Sequence, residues 1–100
     1  MNFRFHPLAL EEFEKSAQYY EERQAGLGER FIQSIESAIQ VVAENPLAAP
    51  ELAAPVRTKL ARVFPYAILY APYEDYFLIV AVMHLHQKPG YWQERLDGST

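Results

Sequence analysis

The 100-residue chain contains no cysteine. This absence excludes disulfide bonds, a catalytic thiolate and a cysteine-ligated zinc site, and it is compatible with a reducing compartment. No stretch reaches the roughly 18 apolar residues that a membrane-spanning helix needs. The first residues, MNFRFHPLALEEF, lack the basic region and apolar run of a signal peptide. These absences predict a cytoplasmic protein that does not associate with membranes.

Long runs of one charge sign are also missing, and the composition is that of a chain that folds. Half of the residues are apolar and 14% are aromatic, and a chain of this length buries roughly two-thirds of its unfolded surface. We therefore expect one domain over residues 1–96. Residues 97–100 are expected to form a frayed tail.

Charge is distributed unevenly along the chain, whose net charge is −4. Residues 1–51 hold nine glutamates and four cationic residues, whereas residues 52–100 hold five cationic residues and four carboxylates. The overall acidity argues against a broad phosphate-binding surface. The local basic patch in the second half still leaves room for a small anionic ligand.

Hydrophobic periodicity predicts the order of secondary structure. Apolar residues recur with the helical period in two segments separated by Gly26 and Gly28, and they alternate or form continuous runs in four others. The predicted elements are a strand over residues 2–6, helices over 8–23 and 28–44, strands over 56–63, 66–73 and 76–86, and a last helical turn over 91–96. The proline-rich segment 45–55 is predicted to be an irregular connection.

These elements predict an α+β fold of order β-α-α-β-β-β. The two helices, joined by a short loop, should form a hairpin that packs on one face of a small, mainly antiparallel sheet. The last three strands should form an antiparallel meander. We expect the opposite face of the sheet to stay open and to be the place where chemistry or a partner is found.

An ordered set of short motifs over some 90 residues resembles the RelE/ParE toxins of type II toxin–antitoxin systems, which are plasmid stabilisation or addiction toxins. The motifs lie at the helix boundaries, in the strands and in the C-terminal turn. They are His6-Pro7, Tyr19-Tyr20, Gly26-Leu27-Gly28, Arg30-Phe31, Asn45-Pro46, Val56-Arg57, Phe64-Pro65-Tyr66 with Ile68 and Tyr70, Val80–His84, and Pro89, Trp92 and Arg95.

The resemblance implies a bacterial growth inhibitor with no cofactor, which forms a hetero-oligomer with a cognate antitoxin. RelE-like members cut mRNA on the ribosome, whereas ParE-like members poison DNA gyrase without nuclease chemistry. The acidic net charge places this chain closer to the ParE-like branch. A second feature agrees: Leu85, His86 and Gln87 stand where the family's usual basic residues follow the last strand.

A RelE-like nuclease would need cationic groups near the phosphate and a group that transfers protons. The candidates for those roles are Arg57, Lys59, Arg62, His84, His86 and Tyr91. Arg57 and Lys59 project from one face of their strand and can hold a phosphate together. The alternative interpretation is that they only solubilise an exposed sheet edge.

His84 and His86, two residues apart on the last strand, allow several interpretations. A metal site would require a third ligand, for which only His6 or a distant carboxylate is available, so we predict none. A proton-transfer role is possible near neutral pH, and the simplest interpretation is a polar, solvent-facing pair.

Aromatic side chains are concentrated in the second half of the chain and favour protein contact. Trp92 is interpreted as a clasp over the core or as a partner anchor. The residues predicted to bind a partner are Arg57, Lys59, Tyr70, His84, His86 and Trp92.

The leading hypothesis is a ParE-like toxin that acts by protein contact on DNA gyrase and is more a binding protein than an enzyme. The alternatives are a ribosome-dependent mRNA endoribonuclease and a degenerate relative that only binds its antitoxin. The sequence leaves open whether the antitoxin lies on the sheet or on the acidic helices.

Overall fold

The first helix begins where the sequence stops alternating. In the computed structural model, which describes residues 1–96, helix α1 spans Pro7–Arg23. Proline at the first position costs no hydrogen bond, and the Nδ1 atom of His6 accepts the Leu8 N–H, so that an imidazole caps the helix. The predicted tail at 97–100 lies outside the described residues.

The second helix, α2, spans Leu27–Glu44 and is preceded by Gly26, whose φ of 87° glycine adopts without steric cost. The carboxylate of Glu21 accepts the N–H groups of Gly26 and Gly28. These bonds satisfy two N–H groups at and near the start of the helix, where donors lack partners within the helix. They also fix α2 antiparallel to α1 as the predicted hairpin.

Five strands form one mixed sheet of order β1-β5-β4-β3-β2. The strands are β1 (Asn2–Phe5), β2 (Glu51–Ala53), β3 (Val56–Leu60), β4 (Tyr66–Pro72) and β5 (Tyr76–His84), followed by a 3-10 turn over Gln93–Leu96. β1 pairs with β5 in parallel, and every other pairing is antiparallel. The predicted α+β class and the meander of the last three long strands are confirmed. β2 is a strand that the sequence did not predict, because it lies in the segment interpreted as irregular.

The helical hairpin covers one face of the sheet. Its main apolar cluster joins both helices to β4 and β5, and Phe31, Ile35, Ile68, Tyr70 and Phe77 are among its largest fully buried members. No helix within residues 1–96 has the length and apolar character needed to cross a bilayer.

The opposite face of the sheet is not open at its centre, contrary to expectation. A second cluster buries Leu69, Val80 and Ala81 beneath Trp92 of the C-terminal segment. A bulge contributes to this cluster, because Leu69 pairs with Ala81 while Tyr70 pairs with Ile79, so Val80 is an additional residue. β5 carries apolar side chains on both faces, and the C-terminal segment removes the second set from water.

Candidate functional site

Arg57 and Lys59 lie on the face of β3 that the helical hairpin covers. Arg57 is opposite Tyr70 and Lys59 is opposite Ile68 in the β3–β4 pairing, and both of those partners belong to the core beneath the helices. Any site built on these two cations therefore lies at the margin of the hairpin and not on the opposite face of the sheet.

Arg57 holds the connection that follows α2. Its guanidinium donates to the backbone oxygens of Leu47 at 3.1 Å and Ala49 at 2.6 Å, and it lies 3.8 Å from a carboxylate oxygen of Glu51. The neighbouring Tyr70 hydroxyl donates to the Pro46 oxygen at 2.6 Å. Arg57 and Tyr70 together fix the 45–50 segment, so the Arg57 guanidinium already has partners in the fold.

Lys59 faces a groove between α2 and β3, which we call the α2–β3 groove. It consists of two adjoining cavities of about 340 and 480 Å³ that share Val41, Lys59 and Leu60. The lining of the first cavity includes Arg30, Val41, Lys59, Leu60, Arg62 and Val63. Ser34 of α2 donates its hydroxyl to the Arg62 oxygen and so holds the loop after β3 against the helix.

The two histidines lie near each other at the end of β5, but they do not share a strand face. β5 ends at His84, and His86 lies in the turn beyond it. The rings are 5.2 Å apart, and the His86 N–H donates to Nδ1 of His84. His84 also packs edge-on against Tyr66 at 5.1 Å and lines a shallow cavity beside α1. The described residues contain no group of three or more His, Asp or Glu side chains that could hold a metal ion.

The hairpin separates Lys59 from His84. Their strands flank β4, and the pairing offsets them by two residues, which puts the two Cα atoms about 12 Å apart. Lys59 lines a cavity beside α2, whereas His84 lines a cavity beside α1. Buried aromatic rings lie between them: Phe31 stands 4.8 Å from Tyr66 and 5.3 Å from Phe64. The structure thus does not join the cationic and histidine candidates into one site.

Tyr91 belongs to a polar network centred on Glu12. The Glu12 carboxylate accepts the Tyr91 hydroxyl at 2.7 Å, two guanidinium N–H groups of Arg95 at 2.8 and 3.0 Å, and the Val82 N–H at 3.0 Å. Arg95 also donates to the Val80 oxygen. Burial, and then the hydrogen bond to Glu12, raise the pKa of the Tyr91 hydroxyl well above its usual value. Tyr91 therefore stays protonated at neutral pH and acts as a donor within the fold.

Trp92 is held in place by this network. Its side chain is only 3% exposed and packs on the second face of the sheet. Tyr70, the other aromatic residue predicted to contact a partner, is fully buried. Both side chains lie beneath the surface of the isolated chain, so Trp92 has the position of a clasp over the core.

Several residues that shape these surfaces were not among the predicted site residues. Glu12 was not among them, although it lies three residues after Ala9 and one before Phe13, at the border of the buried stripe of α1. The sequence also did not predict the groove residues Arg30, Val41 and Val63, because nothing near them in the sequence indicates that α2 and the loop after β3 enclose a groove.

Comparison with known proteins finds a matching family model and a solved structure of similar fold. The family model described as "ParE toxin of type II toxin-antitoxin system, parDE" matches residues 3–89. A solved structure described as "Chromosomal ParDE TA system from P. aeruginosa" is similar in fold, with a TM-score of 0.62, 12% sequence identity, and coverage of 85% of this chain and 96% of that one. No curated protein matches the sequence.

Proposed function

Because the chain belongs to the ParE toxin family of type II toxin–antitoxin systems, we propose that it is a toxin that acts by protein contact on DNA gyrase. A cognate antitoxin would neutralise it by forming a hetero-oligomer with it in the cytoplasm. The proposal makes the chain a binding protein without chemistry of its own.

One observation carries the choice of protein contact over RNA cleavage. Arg57 and Tyr91, the cation and the hydroxyl that a RelE-like mechanism would most need, are both engaged in holding the fold. Lys59 and His84 lie on opposite flanks of the hairpin. In-line cleavage requires its acid, base and charge-stabilising groups within hydrogen-bonding reach of one phosphate. The separation of Lys59 from His84 and the partners already held by Arg57 and Tyr91 therefore support protein contact over cleavage.

The residues predicted to bind a partner then divide into two groups. We retain Lys59, His84 and His86 as direct contacts, because each has side-chain surface available to solvent. Arg57, Tyr70 and Trp92 position the segments around them.

The test is induction of the chain in cells, combined with a supercoiling assay on purified gyrase. We expect growth arrest, inhibition of supercoiling and intact mRNA, and we expect co-expression of the antitoxin to abolish the first two. Cut mRNA whose cleavage disappears in Lys59→Ala would favour the endoribonuclease instead. Harmless induction with fully active gyrase would identify a degenerate relative.

A further inference from the structure

The outer side of β1 is one of the two free edges of the sheet, and β2 forms the other. Proteins commonly protect such edges with proline, bulges or inward-pointing charges, because an edge exposes backbone N–H and C=O groups to any strand that approaches. β2 lies between Pro50 and Pro55. β1 contains no proline, and its pairing with β5 is regular over all four residues. The β1 edge is therefore free to pair with another strand.

The backbone of β1 turns two residues toward this free edge. The His6 N–H donates to the Ile79 oxygen on β5. Because successive residues of a strand direct their backbone groups to opposite sides, Arg4 also faces β5, and the N–H and C=O of Phe3 and Phe5 point away from the sheet. Within residues 1–96 those outward groups have no hydrogen-bond partner.

The side chains on the helical side of this edge are aromatic. The ring of Phe3 lies 5.8 Å from that of Phe5, and Phe5 stacks on Phe13 of α1 at 5.8 Å. Phe5 and Phe13 are partly buried in the main apolar cluster, whereas Phe3 is 44% exposed. A phenylalanine that is half in water beside unpaired backbone groups gains free energy when a second apolar surface covers it.

The charge on the other side of the edge favours one register for a second copy of β1. The two antiparallel registers that pair most of the strand are centred on Phe3 and on Arg4. A pair centred on Arg4 places two guanidinium groups directly opposite each other, which is destabilising. A pair centred on Phe3 places each Arg4 opposite Asn2 of the second copy, whose amide oxygen can accept a hydrogen bond. The edge is thus complementary to itself in the register centred on Phe3.

From these features we propose that two copies of this chain pair through antiparallel β1 strands, around a two-fold axis at Phe3. Each Phe3 exchanges two backbone hydrogen bonds with its counterpart, and the two rings cover each other. Two five-stranded sheets then form one continuous sheet. The proposal goes beyond the proposed function and does not depend on it, because β1 and the α2–β3 groove lie at opposite ends of the sheet.

The size of the edge predicts a weak dimer. Stable specific interfaces bury about 1,200–2,000 Å², and a strand of four residues offers less than that. We therefore expect a dissociation constant on the order of 10 µM. In sedimentation equilibrium of the full chain over about 1–300 µM, the average mass should rise from that of the monomer toward that of the dimer. A mass that stays at the monomer value throughout would overturn the proposal and leave the proposed function intact.

Two charge substitutions on the two edge strands locate the contact. Phe3→Glu places two carboxylates opposite each other at the axis and should weaken self-association at least about tenfold. The matched control is Leu52→Glu, because Leu52 is 52% exposed on β2 at the other edge, and it should associate as the unaltered chain does. Far-UV circular dichroism checks that both variants fold. Equal self-association of the two variants would contradict pairing through β1.

A single cysteine tests the register, since the chain has none of its own. In a hydrogen-bonded antiparallel pair the Cα atoms lie about 5.5 Å apart, a distance that a disulfide spans. Phe3→Cys should therefore form a covalent dimer on mild oxidation. In the same register the two Arg4 Cα atoms lie about 8 Å apart, which is too far for a disulfide, so Arg4→Cys should stay monomeric in a denaturing gel.

This crosslink decides the proposal even where Phe3→Glu fails to fold. Crosslinking of Arg4→Cys in place of Phe3→Cys would move the axis and overturn the pairing. Equal crosslinking of both would indicate random collision of exposed thiols. A dimer in solution that neither cysteine captures would place the interface on another surface, which also overturns the assignment to β1.

Discussion

Replacing Glu12 with glutamine removes the charge at the centre of the network that ties α1 to β5 and the C-terminal segment. Glutamine keeps the size of the side chain, but its amide group adds N–H donors where Tyr91, Arg95 and the Val82 N–H are all donors already. Arg95, whose side chain is only 10% exposed, is left without its counter-charge. We therefore expect Glu12→Gln to destabilise the fold.

The magnitude follows from the burial of the two partners. Breaking a fully buried ion pair from one side costs about 3–5 kcal/mol, but Glu12 is itself 23% exposed, so we expect a loss of about 2–3 kcal/mol. Such a loss is a large fraction of the stability of a domain of this size. It corresponds to a drop in Tm of about 10–20 °C.

Trp92 makes the assay specific to the segment that Glu12 holds. It is the chain's single tryptophan and is buried against the sheet, so its fluorescence reports on the C-terminal clasp, whereas far-UV circular dichroism reports on the helices. In Glu12→Gln we expect the fluorescence transition in urea to shift to lower concentration by at least as much as the helical signal.

Glu11→Gln is the matched control on the same helix. Glu11 pairs with Lys15 at 2.8 Å, but both side chains are largely exposed, and exposed pairs contribute little to stability. We expect this variant to melt with the unaltered chain. Equal stability of Glu12→Gln and Glu11→Gln would refute the role given to the network.

Three further changes test other parts of the fold. Burial, followed by the positive charge of Arg95, lowers the pKa of His6 below 6.5; the unfolded chain then takes up the proton first, so stability should fall as pH decreases below about 6.5. His6→Asn, which keeps an acceptor for the helix cap, should flatten urea-derived unfolding free energies between about pH 7 and pH 5, and an unchanged slope would contradict this. Gly28→Ala should lower the Tm by about 5–15 °C, because an added Cβ would lie 2.6 Å from the Ala17 oxygen; a stabilised variant would show that the helices do not approach so closely. Arg57→Ala should cost about 1–2 kcal/mol in chemical unfolding and speed proteolysis of the 45–50 segment, whereas normal stability with lost toxicity would indicate direct participation at a target.

The parts of the fold that depend on local pattern could be predicted from the sequence. The helical period, the break at Gly26 and the stop at Asn45 indicated two helices. Alternation over residues 56–63, aromatic and β-branched residues over 66–73, and a continuous apolar run over 76–86 indicated three of the strands. Each of these signals arises from the residues of the element itself. β2 had no such signal, because three residues between prolines become a strand only through pairing with β3.

The site was harder to predict because its side chains are defined by distant partners. Alternation predicted that Arg57 and Lys59 lie on one strand face. It did not predict the backbone oxygens that bind Arg57, because they lie in a segment without a regular sequence pattern. Glu12 accepts hydrogen bonds from Arg95, which lies 83 residues later in the sequence. A glutamate at the border of a buried stripe is a usable sign of such a partner, although it does not identify it.

Four cations, Arg57, Arg95, Lys59 and Arg62, differ in whether the fold supplies their partners. Arg57 and Arg95 are bound to backbone oxygens and carboxylates, so they stabilise segments of the toxin itself. Lys59 and Arg62 lack such partners within residues 1–96 and face an apolar groove. A cation that already binds a carboxylate or backbone oxygen of its own chain gains little binding free energy from a new anion. A cation without such a partner gains a charge-assisted hydrogen bond. On the proposed function, we therefore expect a partner's carboxylates to bind Lys59 and Arg62 in preference to Arg57 and Arg95.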